Sequence, residues 1–216
     1  MDDFKFIWSM EYGHRMWGRT IGAVFYIPAA VMWAKGYFNK AMKVRVVAMG
    51  TLLACQGLLG IGPHQDWYQL CDRLYFSSGW YMVKSGLDHD NFKGPCDVPR
   101  VSQYRLAAHL SSAMVLYSFF LWNSMTVLSG PLPNMSHLSA ASLQNAAKFS
   151  GMAMGVKALV FLTAVSGAFV AGLDAGLVYN SFPDFAGRAI PEDILAFEPK
   201  IVNVTENPTT VQFNHR

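Results

Sequence analysis

Four apolar stretches organise this chain, at residues 16–34, 46–60, 106–128 and 158–173, with polar or charged segments between them. A helix needs about 20 mostly apolar residues to cross the hydrocarbon core of a bilayer. The first and third stretches reach that length, and the second and fourth reach it when flanking residues are included. The pattern therefore predicts about four transmembrane helices. Pro28 lies inside the first and predicts a kink, which membrane helices tolerate. Gly57, Gly60, Ser166, Gly167, Ala168 and Gly172 dot the second and fourth, where small side chains let helices approach closely. Pro131, Pro133 and Asn134 read as a short inner loop, and residues 139–148 as a surface helix. Pro183, Pro191, Pro199 and Pro208 break up the long segment after the fourth stretch. Residues 61–79 interrupt the second stretch with polar side chains. Joining Gly60 to Trp80 would restore a continuous apolar helix, so 61–79 read as an insertion, either real or a feature of the gene model.

Composition agrees with a membrane protein. Of 216 residues, 52% are hydrophobic and 14% charged, against roughly 25% charged in an ordinary soluble domain. A soluble protein of unusually apolar helices is the alternative. Lys35, Lys40, Lys43 and Arg45 crowd the loop after the first stretch with no acid among them, which places that loop in the cytoplasm or matrix. The loop after the second stretch is mixed in charge, and the segment after the fourth (Asp184, Glu192, Asp193, Glu198, Glu206) is net acidic. Both belong on the opposite, outer side. A net charge of +3 without a basic stripe argues against nucleic-acid binding. Cys55, Cys71 and Cys96 have no metal-ligand spacing. Cys55 reads as packing, and a disulfide between Cys71 and Cys96 on the outer side is an option. Residues 1–10 hold no apolar signal core, so the opening reads like the middle of a longer protein.

Candidate chemistry changes the picture more. An acid or amide, an aromatic, one free position and His-Arg occur twice, as Glu11-Tyr12-Gly13-His14-Arg15 and Gln212-Phe213-Asn214-His215-Arg216. The repeat predicts two related halves, each built around its own histidine. The first and third spans run in the same direction. His14 lies at the outer end of one, and His109 about one turn into the other, which puts both at similar depth. Two histidines facing each other at one depth suit the axial positions of an iron porphyrin. The competing reading is interfacial histidines reaching back to water. Glu11 precedes His14 by three residues and shares its helix face, where a carboxylate serves as acid, base or charge stabiliser, or simply pairs with Arg15. Arg15, Arg19, Arg105 and Arg216 cluster near the same ends, either to pair with haem propionates or as interfacial anchors. His64, His89 and His137 read as solvent-exposed, and Trp17, Trp33, Trp80 and Trp122 as interface belts.

Four longer strings make the reading specific. They are Glu-Tyr-Gly-His-Arg-Met-Trp-Gly-Arg from Glu11, Pro-Arg-Val-Ser-Gln-Tyr-Arg-Leu-Ala-Ala-His-Leu from Pro99, Ser-Gly-Ala-Phe-Val-Ala-Gly-Leu-Asp-Ala-Gly from Ser166, and Asn-Pro-Thr-Thr-Val-Gln-Phe-Asn-His-Arg from Asn207. With them the chain resembles the haem A synthase family of the mitochondrial type over nearly its whole length, except 61–79. The resemblance implies an all-α polytopic membrane bundle of eight helices in two pseudo-symmetric halves, of which this chain would hold about four. Residues 1–128 would be the N-terminal haem-binding half. Residues 129–216 would be the inner loop, the next span, the outer loop and the start of the C-terminal half. The family's first span and the later partner of His215 are expected to lie outside this chain.

The implied activity is oxidation of a methyl group of haem O to the formyl group of haem A for cytochrome oxidase assembly. It proceeds by successive hydroxylations and loss of water from a gem-diol. By the same resemblance, His14 and His109 ligate the substrate haem, Glu11 is the acidic catalytic residue, and His215 is the first ligand of a haem b site. Arg15 and Arg105 are expected to bind the cofactor. Expected partners are haem O, an electron donor such as a ferredoxin system, the lipid bilayer of the mitochondrial inner membrane, and either haem O synthase or a second copy. The cysteine pair of the bacterial outer loop has no counterpart at the matching place. Two rival readings stay open: a bis-histidine membrane cytochrome that only carries electrons, and a truncated, inactive isoform.

Overall fold

The computed structural model describes residues 2–58, 102–130 and 138–216; the side chains of residues 2–8, Glu11 and Leu58 fall outside that description. The expected insertion at 61–79, Cys71, Cys96, His64, Trp80, His89, His137 and the Pro131–Pro133 loop lie outside the described residues as well. Four long helices follow one another: α1 (Asp2–Ala34), α2 (Lys40–Leu58), α3 (Gln103–Ser129) and α4 (Ala140–Gly172). Single 3-10 turns at Ala175–Leu177 and Lys200–Val202 then lead to two short helices, α5 (Asn203–Glu206) and α6 (Pro208–His215). No strand occurs among the described residues; a lone bridge joins Phe185 to Arg188. The chain is an all-α membrane helical bundle.

Each long helix coincides with one of the four apolar stretches. Their surfaces are apolar outward, as lipid contact requires: Val24 is 68% exposed, Ile27 65%, Leu128 82% and Leu159 65%. By length and composition together, α4 is the one helix among the described residues sufficient to cross a bilayer. α2 opens on Lys40, Lys43 and Arg45, and α3 carries Ser, His and Asn along its length, which dilutes their apolar windows.

One local expectation is corrected. Residues 139–148 are no separate surface helix. They are the first turns of α4, capped where the Ser139 side chain accepts a bond from the Ser142 amide. Nothing between 148 and 158 stops a helix, since Gly151 and Gly155 only weaken one. At 33 residues α4 is about 50 Å long and outruns the membrane core. Helix α1 holds Pro28 in its interior, as expected. It ends where Gly36 adopts a left-handed φ of 73°, with the Gly36 amide bonded to Trp33 O and the Tyr37 amide to Met32 O, both at 3.0 Å.

Sequence neighbours are spatial neighbours: α1 packs on α2, α2 on α3, α3 on α4, and α4 on α6. At one end, Lys43 lies over the Trp33 ring (5.3 Å) and Arg45 over Trp122 (4.7 Å). This cation–aromatic belt fits the predicted inner interface, where basic side chains and tryptophans meet headgroups. The opposite ends of α3 and α4 approach closely at Gly172, where a Cβ would lie 2.5 Å from the Gln103 Cα.

The segment after α4 is a folded cap whose interior is polar. Asn203 (0% exposed) donates to Phe197 O (2.8 Å) and Lys200 O (3.0 Å). Its oxygen accepts from the Phe197 amide and from Asn207 Nδ2. Asn207 then caps α6 by accepting from the Thr209 amide at 2.9 Å, with Pro208 in the first helical position. Asp193 accepts from Thr209 Oγ1 (2.6 Å) and from the Tyr179 hydroxyl (2.9 Å). Burial pushes the Asp193 carboxyl up, but hydrogen bonds from Thr209, Tyr179 and its own backbone amide outweigh that and hold its pKa below the usual carboxylate value. Tyr179 is shifted upward, chiefly because its hydroxyl is bonded to that carboxylate.

Candidate functional site

Helices α1 and α3 bring His14 and His109 together. Their ring centroids lie 6.2 Å apart with planes inclined at 64°. A metal–imidazole bond of about 2.0–2.1 Å, plus roughly 1.1 Å from nitrogen to ring centre, puts two trans ligands about 6.3 Å apart. The observed separation is close to that sum. His109 Nδ1 is buried and bonded to nothing among the described residues. A buried ring nitrogen left without a partner is costly in a purely structural histidine, and the donor set of two neutral imidazoles suits haem iron. The residues present therefore fit the group. No cluster of three or more His, Cys, Asp or Glu occurs among the described residues.

The α3 backbone at this point is held from α2. Gln56 Nε2 donates to His109 O (3.2 Å), and Ser112 Oγ lies 2.7 Å from Gln56 Oε1. Nothing in the sequence marked Gln56 except that an amide inside an apolar span needs a partner. Farther toward the inner end, Phe25 and Phe120 meet edge to face at 5.2 Å, closing α1 on α3. Cys55 is a free, half-buried thiol, in line with packing.

His215 sits apart from the pair, at the last turn of α6. Its Nδ1 lies 2.8 Å from Ser166 Oγ on α4, and its ring rests against Gly167, where a Cβ would be 3.1 Å from Cε1. The cap anchors it: Gln212 Nε2 donates to Tyr179 O (2.7 Å). Arg216 donates to Ser181 O (2.9 Å), Asp184 O (3.1 Å) and Tyr179 O (2.9 Å), and stacks on Phe185 at 4.5 Å. Arg216 thus clamps the segment that follows α4, a role the sequence did not signal. A second strap runs from α3: Gln103 donates to Glu206 Oε2 (2.9 Å), and the Tyr104 hydroxyl bonds Glu206 too. Arg19 is exposed, with Met16 Sδ at 3.5 Å. Glu11 occupies α1 one turn before His14, Arg15 follows His14, and Arg105 lies one turn before His109.

Fold and site together define a helical membrane protein in which two imidazoles from separate helices meet and a third histidine sits on a separate short helix. The comparisons with known proteins carry the assignment further. The family COX15-CtaA, described as cytochrome oxidase assembly protein, matches residues 1–64 and 77–216. The chain belongs to that family. Heme A synthase COX15 of Mus musculus is 52% identical over 214 residues, covering 99% of this chain and 45% of the mouse protein. The Homo sapiens protein of the same name is 50% identical over 218 residues, covering all of this chain and 46% of that protein. Heme A synthase of Nitrosospira multiformis is 37% identical over 216 residues, covering all of this chain and 51% of that protein. The chain spans about half the length of the curated relatives it matches. No solved structure matches it.

Proposed function

We propose that this chain carries the haem O-binding half of a haem A synthase, which oxidises a methyl group of haem O to the formyl group of haem A. The observation that carries the reading is the 6.2 Å separation of the His14 and His109 rings, in a chain about half identical to proteins named heme A synthase. His14 and His109 would hold the iron of the substrate haem. Bound haem supplies the redox chemistry of its iron. His14 and His109 fix the plane and depth of the substrate, so that its oxidisable methyl is presented to a constant environment. Glu11, one turn from His14 on the same face of α1, acts on the carbon being oxidised. It stabilises the positive charge that develops there or accepts the proton released from it. Arg15 and Arg105, close to the two ligands in sequence, pair with the propionates. His215 is the first ligand of a haem b site in the other half.

The reading places the protein in the mitochondrial inner membrane, crossing it with α1–α4. It is supplied by an electron donor such as a ferredoxin system and works beside haem O synthase or a second copy of itself. The interruption of the family match between residues 64 and 77 is the support for treating 61–79 as an insertion. The test is product analysis: the full-length protein and its Glu11→Gln variant are expressed with haem O and the porphyrins extracted. Haem A from the parent, with haem O retained and unconverted in Glu11→Gln, is expected. Haem b alone in both would identify an electron carrier instead, and unchanged haem A output from Glu11→Gln would remove the carboxylate from the chemistry.

A further inference from the structure

We propose that Ser166 is a positioning residue: it holds His215 in the tautomer that leaves Nε2 bare and ready to bind a metal. This inference deepens the reading of His215 as a haem ligand, and its metal half rests on that reading. A serine hydroxyl has one hydrogen. Ser166 Oγ lies 2.9 Å from the Thr163 carbonyl one turn back in α4, and 2.8 Å from His215 Nδ1. A carbonyl only accepts, so the hydroxyl hydrogen belongs to Thr163, the usual habit of serine inside a helix. Toward the imidazole the oxygen is then left as an acceptor, and Nδ1 must carry the ring hydrogen. Neutral imidazole has one N–H, so Nε2 keeps its lone pair. Among the described residues nothing bonds Nε2.

The local build of α4 serves the same end. Gly167 leaves room for the ring: an added Cβ would lie 3.1 Å from Cε1, 3.5 Å from Nε2 and 3.8 Å from Nδ1. The imidazole therefore lies along the backbone of α4 with its Nδ1 edge fixed by Ser166. The three carbonyl bonds of Arg216 stop α6 from turning away. A metal-bound histidine commonly donates its other N–H to a fixed acceptor, and such acceptors strengthen the ligand. His109 offers the contrast, since its buried Nδ1 has no partner among the described residues. The two histidines are thus prepared differently, one by a side-chain acceptor and one without.

Two measurements on the full chain in lipid nanodiscs test this. The 15N shifts of labelled histidine report the tautomer of His215 without any metal, with the signal assigned by its loss in His215→Gln. Titration with iron protoporphyrin IX in a His14→Ala, His109→Ala background then reports binding at His215. Expected are a single Nδ1–H form in the parent and in Ser166→Thr, which keeps the hydroxyl, and a mixture of forms in Ser166→Ala. Porphyrin binding by Ser166→Ala should be weaker by about 10- to 100-fold, with recovery in Ser166→Thr. Gly167→Ala should reproduce the Ser166→Ala behaviour by displacing the ring. An Nε2–H form in the parent, or equal porphyrin affinity in the parent and Ser166→Ala, overturns the proposal. A correct tautomer with porphyrin binding indifferent to His215→Gln overturns the ligand reading of His215 and the metal half of the proposal with it. The metal-free spectrum distinguishes that failure from a wrong tautomer.

Discussion

Replacing Gly172 with alanine drives a methyl group into the backbone of α3. The added Cβ would lie 2.5 Å from Gln103 Cα, 2.7 Å from its Cβ and 3.1 Å from its amide nitrogen. Carbon atoms rest at about 3.5–4.0 Å, so the outer ends of α3 and α4 must part by about 1 Å. The obstacle is backbone, and no side-chain rotation relieves it. Overpacking of this kind costs about 1–3 kcal/mol. The displacement is also felt at the site. Gln103 is six residues, about 9 Å, from His109 on the same helix, and Gln103 and Tyr104 tie that helix to Glu206. Gly155→Ala is the internal control, because it lies in the same helix and nothing stands within 4 Å of its added Cβ. There alanine should stabilise by about 0.5–1 kcal/mol through helix propensity alone. Thermal unfolding in nanodiscs, followed by circular dichroism, should therefore move in opposite directions for the two variants. Gly172→Ala should also weaken haem retention by the His14–His109 pair. Equal or higher stability for Gly172→Ala than for Gly155→Ala would refute the close α3–α4 contact.

Asp193→Ala leaves the Thr209 and Tyr179 hydroxyls without their acceptor and should destabilise the cap by about 1–3 kcal/mol, read as faster amide exchange of residues 203–215. Because the folded pKa of Asp193 lies below its ordinary value, the stability it contributes is present above the ordinary carboxylate pKa. That stability fades as pH falls through the lowered folded value. An acid titration of cap stability should show this limb in the parent and lose it in Asp193→Asn; identical acid limbs would contradict the assignment. Gln56→Leu removes the bridge from α2 to the His109 carbonyl and to Ser112, and should cost about 1 kcal/mol of unfolding stability and loosen haem binding. Unchanged binding would show that α2 does not brace the site.

The helical class was legible because apolar runs of spanning length are physics that needs no neighbours. The glycine stop of α1, with its left-handed turn at residue 36, was not read from the sequence, which marked only the end of the apolar stretch at 34. The imidazole pair was legible through the common direction of two spans and the similar depth of His14 and His109, with the repeated His-Arg string as support, and the structure brings those rings together. The cap was not. Pro208 was read only as breaking up the segment, and Tyr179, Asp193, Asn207 and Thr209 meet across gaps of up to sixteen residues without any periodicity. Ser166 was read only as a small residue in a packed span. Its orientation toward His215 depends on a contact 49 positions away, which spacing within one helix does not encode.

The central claim is that His14 and His109 grip one haem from adjacent helices, and a ligand-resolved redox difference spectrum tests it most directly. The parent chain in membranes, loaded with haem O, should show a low-spin spectrum that disappears with His14→Ala and with His109→Ala, and survives His215→Ala. A low-spin spectrum that persists when either of the first two histidines is removed would contradict the account.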